Sequence, residues 1–318
     1  MTPLFTDIVQ AHHALRPTVR VTPTDYSLGL SRLTGCEVYL KSEHLQHTGS
    51  FKFRGACNKL RLLAPEHRAS GVVTASSGNH GQALALAGRN AGIPVTVYAP
   101  QSAAAVKLDT IRAYGATLEL VAGDALAAEL AAADAAQRLG VPFVSPYNDL
   151  QVIAGQGTVG MELAEQMPDL DAVFVAVGGG GLISGIGAAL SALAPRTEIV
   201  GCWPANAPAM HACLEAGRII DVMETDTLSD GTAGGVEPGA VTFSLCQQVI
   251  DRHALVSEQE IRQAMRALAQ TDRWMVEGAA GVALASLLQL APQYRGRKVA
   301  VVLCGRNIVL EKFIKAVQ

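Results

Sequence analysis

Short β-branched apolar runs alternate along the chain with longer stretches rich in alanine and leucine. Segments 173–177 and 299–303 carry no polar interruption, the pattern of strands covered on both faces by crossover helices. The alternation predicts strands at 71–74, 95–98, 117–121, 172–177, 197–202 and 299–303, and helices at 81–90, 125–139, 182–193 and 258–268. Repeated strand–helix–strand units imply an open α/β architecture with parallel strands. The alanine-rich stretch 125–136 reads as a helix that uses small side chains for close packing. No Pro/Gly/Ser linker divides the chain, so a second domain has to be an insertion. The expected division is a large domain of residues 1–54 plus 149–318 and a small inserted α/β domain of 55–148.

Composition narrows the function classes. Hydrophobic residues make up 49% of the 318 and charged residues 17%, enough apolar material for a sizeable core. A net charge of -3 and an aromatic content of 5% leave no basic field for nucleic acid or anionic lipid, so neither is an expected partner. The most apolar runs are about five residues long, against the roughly 20 that span a bilayer. Six scattered cysteines form no CxxC pair and no zinc-type spacing, which predicts reduced, buried thiols. The start, with Asp7 and no basic stretch before an apolar one, does not have the layout of a secretory leader. A cytoplasmic location is expected.

Four segments carry candidate chemistry. Val177-Gly178-Gly179-Gly180-Gly181-Leu182 follows an apolar run and opens a predicted helix, where backbone N–H groups and the helix dipole converge on a phosphate. A glycine-rich tight turn is the alternative. The segment is neither GxGxxG nor GxxxxGK[ST], so a nucleotide is not its natural guest. Thr48-Gly49-Ser50-Phe51-Lys52-Phe53-Arg54-Gly55 sets a lysine between two aromatic residues. Burial there disfavours the ammonium and makes an amine nucleophile, whereas a snorkelling surface lysine fits the same letters. Ser76-Ser77-Gly78-Asn79-His80-Gly81 forms a second loop that opens a helix, suited to an anionic group or to plain capping. Cys304-Gly305-Arg306-Asn307 ends the last strand, where α/β proteins present ligand contacts.

Together these segments resemble the fold-type II pyridoxal 5′-phosphate enzymes, and within them the serine/threonine dehydratase and serine racemase group. The similarity runs from Thr22-Pro23 through 38–52, SSGNHGQA, AGQGTVGMEL at 154–163, the four glycines and VEGAAG at 276–281 to CGRN. It implies a tryptophan synthase β-like fold, with two open, twisted, mainly parallel sheets flanked by helices. It further implies that Lys52 carries the cofactor as a Schiff base and moves the α-proton, while Gly178, Gly179, Gly180, Gly181 and Leu182 hold the phosphate. Asn79 is similar to the residue bonded to the cofactor's 3-hydroxyl, Phe51 to the one beside the pyridine ring, and Glu277 to the acid on the ring's substrate side. Ser76, Ser77, Gly78 and His80 lie in the loop that receives the substrate carboxylate, with Ser77 matching the racemase's second acid/base. Cys304 takes the position facing the pyridine nitrogen. A neutral thiol cannot hold that nitrogen protonated as an aspartate would, which favours prompt loss of a β-leaving group.

The activity implied is a pyridoxal-phosphate-dependent dehydratase of amino-acid catabolism. It would convert a 3-hydroxy amino acid, of threonine/serine or phenylserine type, to a 2-oxo acid and ammonia, in a homodimer. A β-replacement synthase of the cysteine-synthase type and a catalytically idle amino-acid-binding protein are the rivals. Some positions depart from the group. The stretch aligned with its divalent-cation site reads Trp203-Pro204-Ala205-Asn206-Ala207-Pro208-Ala209, without either carboxylate, so no metal is expected there. Segment 227–238 and Arg306 also depart, which points toward the hydroxyectoine-utilisation and phenylserine dehydratase subgroup. The chain stops soon after Asn307, so the regulatory domain of biosynthetic threonine deaminases is not expected.

Overall fold

The structure is a computed structural model and describes residues 2–318. A six-stranded sheet runs in the order β1-β2-β9-β6-β7-β8, built from β1 (Thr24–Tyr26), β2 (Glu37–Lys41), β6 (Ala172–Ala176), β7 (Glu198–Pro204), β8 (Arg252–Val256) and β9 (Lys298–Val302). Only β1 pairs antiparallel; every other neighbour is parallel. A parallel three-stranded sheet comprises β3 (Val72–Ala75), β4 (Val95–Pro100) and β5 (Thr117–Val121), in that order. This is the parallel α/β architecture that the apolar runs predict, divided into the two mainly parallel sheets that the resemblance implies.

The central strands are the ones the sequence marks best. All of β6 is buried, as a strand covered on both faces must be. The short β1, the polar-edged β2 and the edge strand β8 lie outside the predicted set, and each carries exposed or half-buried positions that break the apolar pattern. The expected cut between residues 54 and 55 falls inside the helix Lys52–Arg61. Phe53 of that helix joins the core under the three-stranded sheet, whereas Arg54 turns toward Glu43 and Glu162.

Two devices fix the helices that matter for the site. The helix Leu150–Gln166 touches two others through glycines: a Cβ on Gly155 would lie 2.6 Å from the Cα of Gly55, and one on Gly185 would lie 2.5 Å from the nitrogen of Gly157. Such contacts bring backbones together closer than any side chain allows. The helices that begin at Lys52 and at Gly181 are thereby both seated on Leu150–Gln166. Below Lys52, the fully buried Arg54 donates to Glu43 at 2.8 and 2.7 Å and to Glu162 at 2.6 and 2.9 Å. Lys41, also fully buried, donates to Glu162 at 2.6 Å. Desolvation disfavours the charges of Lys41, Arg54 and Glu162, and their mutual pairing offsets it.

Candidate active site

Three neighbouring parallel strands, β2, β9 and β6, deliver their carboxyl ends to one edge of the large sheet. Open α/β sheets place their ligands at such an edge. The chain leaves β6 into Gly178–Gly181, leaves β9 into Cys304–Asn307, and follows β2 with a short turn leading to Lys52. From the small sheet, β3 feeds the Ser76–Asn79 loop. The loop Ser50–Phe51 is pinned to the end of β9, with the Phe51 N–H donating to the carbonyl of Cys304 at 3.1 Å.

Lys52 is half-buried and is the first residue of its helix. Its Nζ donates to the backbone oxygen of Pro146 at 2.7 Å and lies 5.1 Å from the centroid of the Phe51 ring. Desolvation brings its pKa down from 10.5 to about 8, opposed by the negative forms of Cys304 and Glu277. Only one of the two flanking aromatics is part of this environment. Phe53 is fully buried under the small sheet, edge-on to His47 at 5.4 Å. Successive helical residues are about 100° apart, so Phe51 and Phe53 cannot both face the amine.

The four-glycine loop ends at Gly180, whose φ of +86° is left-handed, and the helix Gly181–Leu193 begins without a side-chain cap. Its first N–H groups are therefore directed out of the helix with the positive end of the dipole. The glycines answer to the protein as well as to a ligand. A Cβ on Gly178 would lie 2.9 Å from Thr232, one on Gly179 2.3 Å from the Tyr147 ring, and one on Gly180 2.6 Å from the sulfur of Cys246. Leu182 is buried behind the loop. Pro146 and Tyr147, adjacent in sequence, thus touch Lys52 and the glycine loop respectively.

On the other side, Asn79 donates to Glu277 at 2.8 and 3.1 Å, and its carbonyl oxygen accepts from Asn307 Nδ2 at 2.6 Å. The Asn307 backbone N–H also donates to Glu277 at 3.1 Å. The amide is thus held at both ends, its nitrogen on the Glu277 carboxyl and its oxygen on Asn307. Glu277 is buried and its pKa is pushed up from 4.5 to about 7, first by desolvation and then by Asp230, against the hydrogen bond from Asn79. Cys304 is buried too, and desolvation with Glu277 raises its thiol well above 9.0, so it is a neutral thiol at physiological pH.

Ser76 and Ser77 are half-buried in the second loop, where the Ser76 hydroxyl accepts from the Gly78 N–H at 3.1 Å. Gly78 caps the helix Asn79–Ala91 without a side-chain bond, leaving a second set of outward N–H groups. The His80 side chain turns away from the loop: it is buried, and its Nε2 donates to the carbonyl of Val144 at 3.0 Å. Burial first, then Lys52, lowers its pKa to about 3, so it is neutral. Its backbone N–H is what it offers to the loop. Pro146, Tyr147 and Asn307 are contacts that the sequence reading did not assign. Asn307 stood inside a segment already singled out; nothing in spacing links Pro146 to Lys52, 94 positions away.

The donor set fits pyridoxal phosphate: an uncapped glycine-lined helix start for its dianion, an amine of lowered pKa for its aldehyde, an aromatic ring, an amide N–H and a neutral thiol. The chain matches the pyridoxal-phosphate dependent enzyme family over residues 15–305. It is 43% identical over 302 residues to an L-threonine ammonia-lyase of Thermotoga maritima, covering 95% of this chain and 75% of that protein. The processed form of threonine deaminase isoform 2 from Solanum lycopersicum superposes with a TM-score of 0.94 at 31% identity, covering 99% of this chain and 93% of that one. Serine racemase from Dictyostelium discoideum superposes with a TM-score of 0.88 at 36% identity, covering 96% and 99%.

Proposed function

This chain belongs to the pyridoxal-phosphate-dependent enzyme family, and from that premise we propose a dehydratase that converts a small 3-hydroxy amino acid to its 2-oxo acid and ammonia. Pyridoxal 5′-phosphate bound here supplies an electron sink for the pair left when the α-proton departs. The observation that carries the reading is Lys52, a nucleophile whose pKa of about 8 keeps a sizeable fraction of it neutral near physiological pH, set beside the neutral Cys304 thiol. As a free amine, Lys52 Nζ would be the base that takes and holds the substrate's α-proton. Cys304 accepts no charge and does not strengthen the sink, so loss of the 3-hydroxyl is favoured over long-lived side chemistry. The N–H groups opening Asn79–Ala91, with Ser76 and Ser77, bind and orient the substrate carboxylate. Asn79, held by Glu277 and Asn307, orients the ring with its side-chain amide. The glycine loop takes the phosphate.

Threonine and serine are the substrates this reading favours, in line with the threonine ammonia-lyase of T. maritima. No helix among the described residues is long and apolar enough to cross a membrane. The cysteines are free and buried, which suits the cytoplasmic homodimer proposed. Similarity to the D. discoideum serine racemase favours a second reading, in which Ser77 returns a proton on the opposite face. One assay tests both. L-threonine, L-serine and phenylserine are incubated with the yellow holoenzyme, and 2-oxo acid and D-isomer are measured. We expect 2-oxo acid as the main product from at least one, and Lys52→Ala to lose turnover by several orders of magnitude while keeping some cofactor on the glycine loop. D-isomer as the main product moves the assignment to racemase; undiminished turnover in Lys52→Ala removes the role of the lysine.

A further inference from the structure

One cluster of ligating side chains lies apart from the residues described so far. His211 and Glu215 are four positions apart on the helix Ala209–Ala216, and His253 is on the edge strand β8. Residues at that spacing share a helix face. One ligand atom from each of the three lies within 4.8 Å of the other two. His253 Nδ1 and Glu215 Oε1 are 3.4 Å apart, about the separation of two ligands on one tetrahedral ion with bonds near 2.1 Å. Glu215 is the most exposed of the set, and its flexible arm can close the remaining gap.

The rings are held in place rather than loose. Trp203, fully buried, meets His211 edge-on at 5.3 Å and His253 at 5.2 Å, and the two imidazoles are themselves 5.1 Å apart. The indole is in turn seated over Gly201, where a Cβ would lie 2.5 Å from it. A simple surface ion pair needs Glu215 and His253 alone. The convergence of His211 on the same point, with both rings braced by one indole, is what an ion pair leaves unexplained.

We propose that His211, Glu215 and His253 form a site for a divalent transition-metal ion of the zinc class, which clamps the helix Ala209–Ala216 to β8. Two imidazoles and one carboxylate suit such an ion and do not suit Mg²⁺ or Ca²⁺, which take oxygen ligands. The sequence reading expects no metal in this chain; it weighs only Trp203–Ala209, a stretch that stops just short of this cluster. The clamp bears on the glycine loop through Met210, next to His211, whose Cε is 3.3 Å from the position of a Cβ on Gly180. The site does not depend on the reading of Lys52.

The test uses holoenzyme stripped with a chelator and dialysed, titrated with Zn²⁺ by calorimetry and, in parallel, with Co²⁺ to read ligand-field bands. Thermal midpoints are recorded with and without metal. One Zn²⁺ per chain is expected, with a raised midpoint. His253→Ala and Glu215→Gln should each weaken binding by more than about tenfold, since loss of a hydrogen bond behind a ligand already costs ten- to a hundredfold. Both should shrink the thermal shift at a given Zn²⁺ concentration. Glu215 is exposed, so Glu215→Gln should keep the metal-free midpoint and the cofactor absorbance, separating ligand loss from misfolding. Absence of stoichiometric binding, or binding that persists undiminished in Glu215→Gln, overturns the proposal.

Discussion

Asn79 and Glu277, 198 positions apart in the chain, are joined by side-chain hydrogen bonds of 2.8 and 3.1 Å. Asn79 opens the helix that follows β3 of the small sheet, and Glu277 precedes the helix Gly278–Leu290, which packs on the large one. The two sheets are therefore tied together through a half-buried amide and a buried carboxyl that face the candidate site. Asn307 closes the arrangement from the end of β9, donating to both partners. A carboxyl in this position is costly to ionise, and its titration reports on the pair.

The Glu277 carboxyl titrates near 7 in the folded chain against 4.5 in its ordinary state. Between those values the folded state holds more protons than the unfolded one, so stability falls as pH rises from 4.5 to 7. Above that window the whole penalty is present, of the order of a few kcal/mol. Glu277→Gln should remove this part of the slope. Urea midpoints of the cofactor-free chain at pH 5 and pH 8 are the measurement. A pH difference as large in the variant as in the parent protein would show that the slope comes from other groups.

Lys52 provides a second pH test. With a pKa of about 8, its neutral fraction below pH 8 is ~300-fold that of a lysine at 10.5. The rate at which cofactor-free protein takes up pyridoxal phosphate should rise with pH and level off just above 8. A rate still climbing tenfold per pH unit at pH 9.5 would mean that the amine is solvated.

Much of this site is legible in the sequence because its key residues are local. The lysine, the four glycines and SSGNHG each sit in one short segment, and the central strands β6 and β9 are uninterrupted apolar runs. What the letters do not carry is direction. Phe51 and Phe53 flank Lys52 symmetrically in sequence, yet the helical rotation turns one to the amine and the other into the core. His80 lies in the second loop but its ring is committed to Val144. Contacts at long separation, such as Pro146 with Lys52, leave no local trace. Arg54, Glu43 and Glu162 look like surface charges one at a time and become a buried network only when the fold brings them together.

Gly179→Ala tests whether the glycine loop is shaped by its walls. Its Cβ would meet the Tyr147 ring at 2.3 Å, so either the loop or the Pro146–Tyr147 segment has to move. Overpacking of this kind costs about 1–3 kcal/mol. Because Tyr147 abuts the loop and Pro146 accepts from Lys52, both phosphate affinity and the lysine's setting should suffer. Cofactor affinity should drop about tenfold or more, read from the dependence of the yellow absorbance on added pyridoxal phosphate. Gly179→Ala combined with Tyr147→Ala should recover part of the loss; no recovery would place the damage elsewhere.

Cys304 separates ring electronics from packing. It is buried, and its thiol is held neutral by desolvation and by Glu277. On the proposed reading, a neutral partner at the ring nitrogen would leave it unprotonated and the sink weak, which would favour loss of the 3-hydroxyl over competing chemistry. Cys304→Ser should keep much of the turnover, because a hydroxyl could hydrogen-bond the nitrogen as the thiol would. Cys304→Asp should stabilise a protonated nitrogen and prolong the life of the electron pair at the α-carbon, raising proton exchange and racemisation relative to elimination. If Cys304 is only a small core residue, Cys304→Ala matches the serine variant and the aspartate variant merely unfolds more easily. The ratio of 2-oxo acid formed to α-proton exchange in deuterated solvent distinguishes the two for all three variants. An unchanged ratio in a folded, cofactor-loaded Cys304→Asp protein would rule out the electronic role, and the thiol would then be retained for its fit beside the Glu277 carboxyl.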